Sequence, residues 1–188
     1  AAKYSAWKQA GFPGAKDAGF NASATTIVQM TSNVLPSGYV ASAPAEYSGY
    51  PIWHVFNTAD TYGYVANAPS NTIDIMLEHP SFMPFGFSLK AENGQPSTMP
   101  QNFKIQEYVS SNWVDLNFYE RQSAWSANEE RVYTPNVLVS GTKTRLHIYD
   151  TLSTRMKKFN IYGADLSVIK CLSHGFSTGD AVRCGVES

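Results

Sequence analysis

One segment near the end of the sequence carries the residue pattern of a nucleophilic serine. Gly175–Gly179 reads Gly-Phe-Ser-Thr-Gly and fits the G-x-S-x-G pattern, in which a serine on a sharp turn attacks a carbonyl carbon. That chemistry also needs an acidic residue and a histidine further along the chain. The nine residues after Gly179 contain no histidine, so we interpret the segment as a glycine-bracketed β-turn.

The other reactive side chains show no catalytic or metal-binding arrangement. The four histidines are scattered and have neither H-x-x-x-H nor H-E-x-x-H spacing, so no metal site is indicated. Glu46, Asp60, Asp74 and Glu78 fall near predicted loops or strand ends, but their spacing does not specify a glycosidase pair. We therefore predict that the chain is not an enzyme.

The composition excludes two classes of partner. The net charge of −1 and pI near 6.5 argue against nucleic acid, because phosphate binding needs a basic stripe. The one compact basic cluster, 155–158, is interpreted as a solvated loop. No apolar stretch is long enough to insert into a membrane. The two cysteines, Cys171 and Cys184, could close a small terminal disulfide loop or remain free thiols.

The elements that must position any site are antiparallel strands. Apolar and polar residues alternate over 102–108, 113–120, 142–149 and 158–163, and a period of two indicates half-buried strands. The absence of a strong helical pattern predicts an all-β sandwich of about eight strands. The residues predicted to face its core include Ile73, Ile75, Leu77, Phe85, Phe87, Leu89, Val114, Leu116, Phe118, Thr144, Leu146 and Ile148.

Three regions follow from this pattern. Residues 1–24 are rich in Ala, Gly and Lys and are predicted to form an N-terminal arm. Residues 25–163 hold the sandwich. Residues 164–188 read as strand, tight turn and strand, which is typical of a C-terminal hairpin tail or of the start of a further module.

Five segments in order resemble the discoidin-like domain, also called the coagulation-factor type C or galactose-binding-domain-like family. The resemblance covers about two-thirds of the chain and implies an antiparallel jelly-roll β-sandwich with ligand loops clustered at one end. The segments that carry it are YVASAPAEYSGYPIWHVFN (39–57), NTIDIMLEHPSFMPFGFSLK (71–90), FKIQEYVSSNWVDL (103–116), TRLHIY (144–149) and KFNIYG (158–163).

The resemblance also implies a structural calcium ion, which this sequence does not support. Many family members hold calcium with an acidic residue in the turn that matches Asn57 here and a glutamate in the strand that matches Asn160. A hard cation prefers charged oxygen ligands, so these two amides should weaken the site, although Asp60 lies close enough to replace one carboxylate. We predict no cofactor and no bound metal.

In the family, ligands lie among loops that correspond here to residues 44–51, 61–69 and 91–98. Sugar binding needs aromatic faces for the C–H side of the ring, and amides or carboxylates for its hydroxyls. Tyr50 and Trp53 could alternatively belong to the core. The predicted ligand-binding residues are Glu46, Tyr47, Tyr50, Tyr62, Tyr64, Asn67, Glu92 and Asn93.

These features together predict a non-catalytic carbohydrate-binding or receptor-attachment domain of a virion tail fibre, spike or baseplate protein. The phage context rests on the segment HGFSTGD (174–180), which resembles a hairpin segment frequent in tail proteins of bacteriophages, and on the neutral pI, the near-absence of cysteine and the missing initiator Met. The predicted partners are a host surface glycan and other virion subunits, in a homo-oligomer located in the virion. Two alternatives remain: a structural virion protein, or a carbohydrate-binding module of a secreted bacterial glycosidase.

Overall fold

The structure is a computed structural model that describes residues 28–59, 61–67, 72–149 and 153–164. All strand pairings in these residues are antiparallel, which confirms the predicted all-β sandwich. The predicted arm (1–24) and almost all of the predicted tail (164–188) lie outside the described residues. The strands are β1 (Val40–Ser42), β2 (Tyr64–Asn67), β3 (Thr72–Lys90), β4 (Asn102–Val109), β5 (Asn112–Tyr119), β6 (Glu130–Tyr133), β7 (Gly141–Tyr149), β8 (Ser153–Met156) and β9 (Lys158–Ala164), with 3-10 helices at Ile52–Phe56 and Pro96–Thr98.

One long strand, β3, belongs to both layers of the sandwich. Its first half pairs with β1 and β7, in a sheet of order β1-β3-β7-β4-β5. The register shifts between Glu78 and Phe82, and the second half then pairs with β6 and β9. Strands β2 and β8 form a separate two-stranded sheet. Strand β3 therefore continues through the register shift as a single strand from Thr72 to Lys90.

The predicted core positions are mostly confirmed, with two exceptions that share one cause. Leu146, Ile148 and the other β7 and β3 positions of the predicted set, apart from Phe85, are buried, and Val114 is half-buried. The prediction was wrong for Phe118 and Phe85, which are 47% and 39% exposed. Leu116 is an extra residue between the pairs Ile105–Asn117 and Gln106–Asp115, and Phe85 is itself an extra residue in β3. Each β-bulge shifts the alternation by one residue, which turns the phenylalanine outward.

A group of three polar side chains is buried between β3, β4 and β7. The Glu107 carboxylate on β4 accepts a hydrogen bond from the Thr144 hydroxyl of β7 (2.6 Å) and lies 3.3 Å from Nε2 of His79. Nδ1 of His79 lies 2.9 Å from the carbonyl oxygen of Pro80. All three side chains are buried, so the group joins three strands through contacts that exclude water.

Among the described residues, no helix has the length and apolar character needed to cross a membrane.

Candidate functional site

Two of the three predicted ligand loops meet at one place. The segment that contains Glu46 pairs with β2 through a bridge to Ala66 and a hydrogen bond from the Tyr47 N–H to the Val65 carbonyl (3.0 Å). This pairing brings Tyr47, Tyr50 and Tyr62 together, with centroid distances of 6.3 Å from Tyr47 to Tyr50 and 6.3 Å from Tyr50 to Tyr62. We call these three residues the tyrosine surface. Tyr47 is 59% exposed and Tyr62 is 57% exposed, so both rings are available to a ligand.

Local backbone geometry fixes the first two tyrosines. The Tyr50 N–H donates to the Tyr47 carbonyl (2.9 Å), which closes a tight turn. Gly49 has a φ of +85° in this turn, a conformation that disfavours larger residues. Glu46 Oε1 accepts hydrogen bonds from the Ile52 N–H (3.0 Å) and from Asn33 Nδ2 (3.4 Å). Glu46 thus links the turn to the start of the 3-10 helix. It is also exposed, next to Tyr47 of the tyrosine surface.

Two further rings support the tyrosine surface from below. His54 stacks on Trp53 with centroids 3.9 Å apart, and it lies 5.6 Å from the Tyr62 ring. His54 is buried, and Trp53 packs partly buried against the hydrophobic core. The core alternative is therefore confirmed for Trp53, whereas Tyr50 stays half-buried between the two exposed tyrosines.

Tyr64 has a different environment from the other tyrosines. Its side chain is fully buried in the core, and its hydroxyl donates to the Pro44 carbonyl (2.6 Å). Burial raises the pKa of this phenol well above its usual range, with a smaller contribution from the nearby Glu46 carboxylate. Tyr64 therefore holds the 44–51 loop against β2, and we leave it out of the proposed binding surface.

The Tyr64→Phe variant tests this structural role. It should lose about 1 kcal/mol of unfolding free energy, because the Pro44 carbonyl loses its hydroxyl partner in a part-buried place. Urea unfolding monitored by tryptophan fluorescence measures the change. Tyr47→Phe is the matched control and should be neutral, since Tyr47 is exposed. Equal losses in the two variants would contradict the assignment.

The remaining predicted ligand residues do not join the tyrosine surface through the contacts they make. Asn67 ends β2 opposite Ser153. Asn93 Oδ1 accepts a hydrogen bond from Asn128 Nδ2 (3.0 Å), and Glu92 Oε2 lies 3.9 Å from Nη1 of Arg155. Glu92 and Asn93 therefore contact β8 and the loop before β6.

The basic cluster at 155–158 is not a solvated loop, which corrects the sequence interpretation. Met156 is in the core, and Lys158 opens β9 with only 4% of its surface exposed. The Lys158 ammonium donates to the carbonyl oxygens of His54 (3.1 Å), Tyr62 (3.4 Å) and Asn57. The apolar Phe159 and Ile161 alternate with Lys158 and Asn160 along β9, and both faces of the strand are buried. The strand period would place Lys158 opposite the apolar face, so it does not reveal this burial.

The described residues do not fit the calcium ion that the fold family implies. Asn57 supplies its backbone oxygen to Lys158, and Asn160 Nδ2 donates to Ser88 Oγ (3.0 Å). A buried ammonium beside these oxygens repels a divalent cation. Within the described ranges, no group of three or more His, Cys, Asp or Glu side chains could hold a metal ion. Asp60 lies outside those ranges.

Comparison with known proteins identifies the architecture. No protein-family model matches the sequence, and no curated protein matches it. Among solved structures, the family 32 carbohydrate-binding module of C. perfringens NanJ, in complex with galactose, superposes with a TM-score of 0.56 at 8% identity. That match covers 66% of this chain and 93% of the module. The chain has the galactose-binding-domain-like fold.

Other solved structures support the same fold. The family 32 module of Streptococcus pneumoniae EndoD matches with a TM-score of 0.54 at 11% identity, over 71% of this chain and 100% of that one. A chitosan-binding module from a Paenibacillus sp. IK-5 chitosanase/glucanase matches with a TM-score of 0.54 at 16% identity, over 67% and 96%. At these identities the likeness concerns the fold alone.

Proposed function

We propose that this chain is a non-catalytic carbohydrate-binding domain whose ligand contacts the tyrosine surface. The observation that carries the proposal is the exposure of Tyr47 and Tyr62 on either side of Tyr50, on loops that the sheet pairing holds together. Aromatic rings stack on the C–H face of a sugar, and hydroxyls and carboxylates bind its polar edge. The tyrosine hydroxyls and the exposed Glu46 supply both kinds of group.

The geometry favours a short or terminal sugar over a flat polymer surface. The Tyr47 and Tyr50 rings are inclined by 45°, and the Tyr50 and Tyr62 rings by 75°. Rings inclined in this way cannot all lie against one flat face, so they do not match the flat surface of a polysaccharide. Two structural neighbours support binding of this kind, since their names specify galactose and GalNAc-β-1,3-galactose, whereas a third is named for chitosan, a polymer.

The biological context is a further part of the proposal. A domain of this fold also occurs within a larger solved structure. The chain matches 29% of the length of a putative α-L-fucosidase from Bacteroides thetaiotaomicron. This observation favours the second context predicted from the sequence, a carbohydrate-binding module of a secreted glycosidase. Host attachment within a virion, and a homo-oligomeric state, stay predictions that depend in part on the 174–180 segment, which lies outside the described residues.

Calorimetric titration with galactose, N-acetylgalactosamine and chitosan oligosaccharides tests the proposal. The wild-type protein should bind at least one of them, and Tyr62→Ala should weaken that binding by about 5- to 30-fold, because an aromatic stack contributes roughly 1–2 kcal/mol. Phe118→Ala is the matched control, since it removes an exposed ring on the outer face of the large sheet. The proposal fails if no sugar binds at millimolar concentration, or if both variants lose affinity equally.

A further inference from the structure

The ammonium group of Lys158 is held as a buried cation. Its three hydrogen-bond acceptors are backbone carbonyl oxygens, from His54, Asn57 and Tyr62, and only 4% of the residue is exposed. An ammonium has three N–H donors and no acceptor, so three carbonyls satisfy it completely. This arrangement places three carbonyl dipoles around the lysine charge, and these dipoles stabilise it.

The three carbonyl groups come from one segment that leads to the tyrosine surface. His54 lies in the first 3-10 helix, Asn57 follows its end, and Tyr62 is the last residue before Gly63 and β2. Carbonyl oxygens carry partial negative charge, so pointing three of them at one buried place is unfavourable unless a cation lies between them. Lys158, about a hundred residues further along, supplies that cation from the first position of β9.

We propose that the Lys158 ammonium takes the place of a structural metal ion, and that it positions the 54–62 segment and thereby Tyr62. The chain then needs no calcium to fold or to present its tyrosine surface. A polar cleft of about 340 Å³ adjoins this place and is lined by Thr58, Thr61, Glu130, Lys158 and Asn160, among others. The carboxylate of Glu130 accepts a hydrogen bond from Ser88 Oγ (2.6 Å) and lies 4.0 Å from Nζ of Lys90. The other polar side chains of the cleft are hydroxyl, amide and ammonium groups, which are poor ligands for a hard divalent cation. The part that concerns Tyr62 rests on the proposed function.

The first test uses the wild-type protein and calcium. Thermal unfolding in 5 mM EDTA and in 5 mM CaCl2 should give the same midpoint within roughly 1 °C, because a ligand that does not bind the native state cannot stabilise it. A midpoint that rises by several degrees in calcium would overturn the inference, since it would show a metal site that Lys158 has not replaced. This measurement does not depend on any variant.

The second test removes the charge and keeps the apolar stem. Lys158→Met should lower the melting midpoint by roughly 6–12 °C, because three carbonyl groups lose their donor in a buried place. Lys157→Met is the matched control: it removes the neighbouring lysine, keeps the backbone bond from its N–H to Lys90, and should shift the midpoint by about 2 °C or less. Equal shifts in the two variants would overturn the inference.

Hydrogen exchange separates a positioning role from general destabilisation. In Lys158→Met under native conditions, amides of 54–65 should exchange at least tenfold faster than in wild type, with β4 and β7 little changed. Uniform acceleration along the chain would overturn the positioning role. If exchange behaves as expected and no sugar binds to the wild-type protein, the proposed function fails while the role of Lys158 stands.

Discussion

Glu107→Ala is expected to lower the free energy of unfolding by about 3–5 kcal/mol. The substitution leaves a cavity and removes the acceptor of the Thr144 hydroxyl, and it takes away the carboxylate that lies 3.3 Å from His79. All three side chains are buried, so water does not replace the lost partner. Chemical denaturation at pH 7, followed by tryptophan fluorescence, gives the loss directly.

Glu107→Gln separates the charge of this residue from its shape. Burial raises the pKa of Glu107 above its ordinary value of 4.5, and hydrogen bonds from His79 and Thr144 counteract this only in part. The folded state therefore prefers the protonated carboxyl. The stability that this preference contributes is complete below pH 4.5 and is lost as the pH rises through the raised pKa.

A glutamine at this position keeps the hydrogen-bonding shape and has no proton to lose. The free energy of unfolding of Glu107→Gln minus that of the wild type should therefore be larger at pH 8 than at pH 4. Unfolding curves collected across this pH range measure the difference between the two proteins. A difference that shrinks as the pH rises would show that the buried carboxylate is stabilised by its partners, against the expectation.

Gly63→Ala is expected to destabilise the fold by about 2–3 kcal/mol and to displace the tyrosine surface. A Cβ atom at Gly63 would overlap the Met156 carbonyl oxygen and would lie 2.8 Å from Cα of Lys157. Both are backbone atoms of the chain that passes from β8 to β9, so they cannot move aside as a flexible side chain could. Because Tyr62 directly precedes Gly63, the strain should also reach the proposed binding surface.

Gly94→Ala provides the control for this substitution. A Cβ atom at Gly94 has no heavy atom within 4 Å, so the variant should be neutral or slightly more stable. Thermal unfolding measures both variants, and sugar titration then shows whether Gly63→Ala loses affinity at a temperature where it is still folded. A Gly63→Ala protein as stable as the Gly94→Ala protein would show that the β8–β9 connection can move away.

The sequence predicts the sheet well because burial of one face imposes a period of two. Ile73, Ile75, Leu146 and Ile148 are completely buried, as their alternation indicates. The pattern does not reveal a bulge, because an extra residue changes the facing of later positions without changing their types. Phe118 is an example. Strict alternation along β5 predicts that its side chain faces the core, but the extra residue Leu116 shifts the register and turns Phe118 toward solvent.

The candidate site is less predictable from the sequence for a different reason. The tyrosine surface depends on how two loops pair, and loop composition alone does not distinguish the exposed Tyr62 from the buried Tyr64, two residues later. Lys158 poses the same problem. A lysine near other basic residues is usually solvated, and only the three-dimensional arrangement of distant carbonyl groups shows that this one is buried.

The position of β9 has a consequence for the order in which the protein can mature during synthesis. Strand β9 pairs with the second half of β3, and its first residue holds the segment before β2 in place. The ribosome makes Tyr47, Tyr50 and Tyr62 about a hundred residues before it makes Lys158. The nascent chain can thus pair β4, β5 and β7 while the tyrosine loop still lacks its anchor. The proposed binding surface is therefore completed late, when β9 leaves the exit tunnel, although its tyrosines emerge about a hundred residues before Lys158.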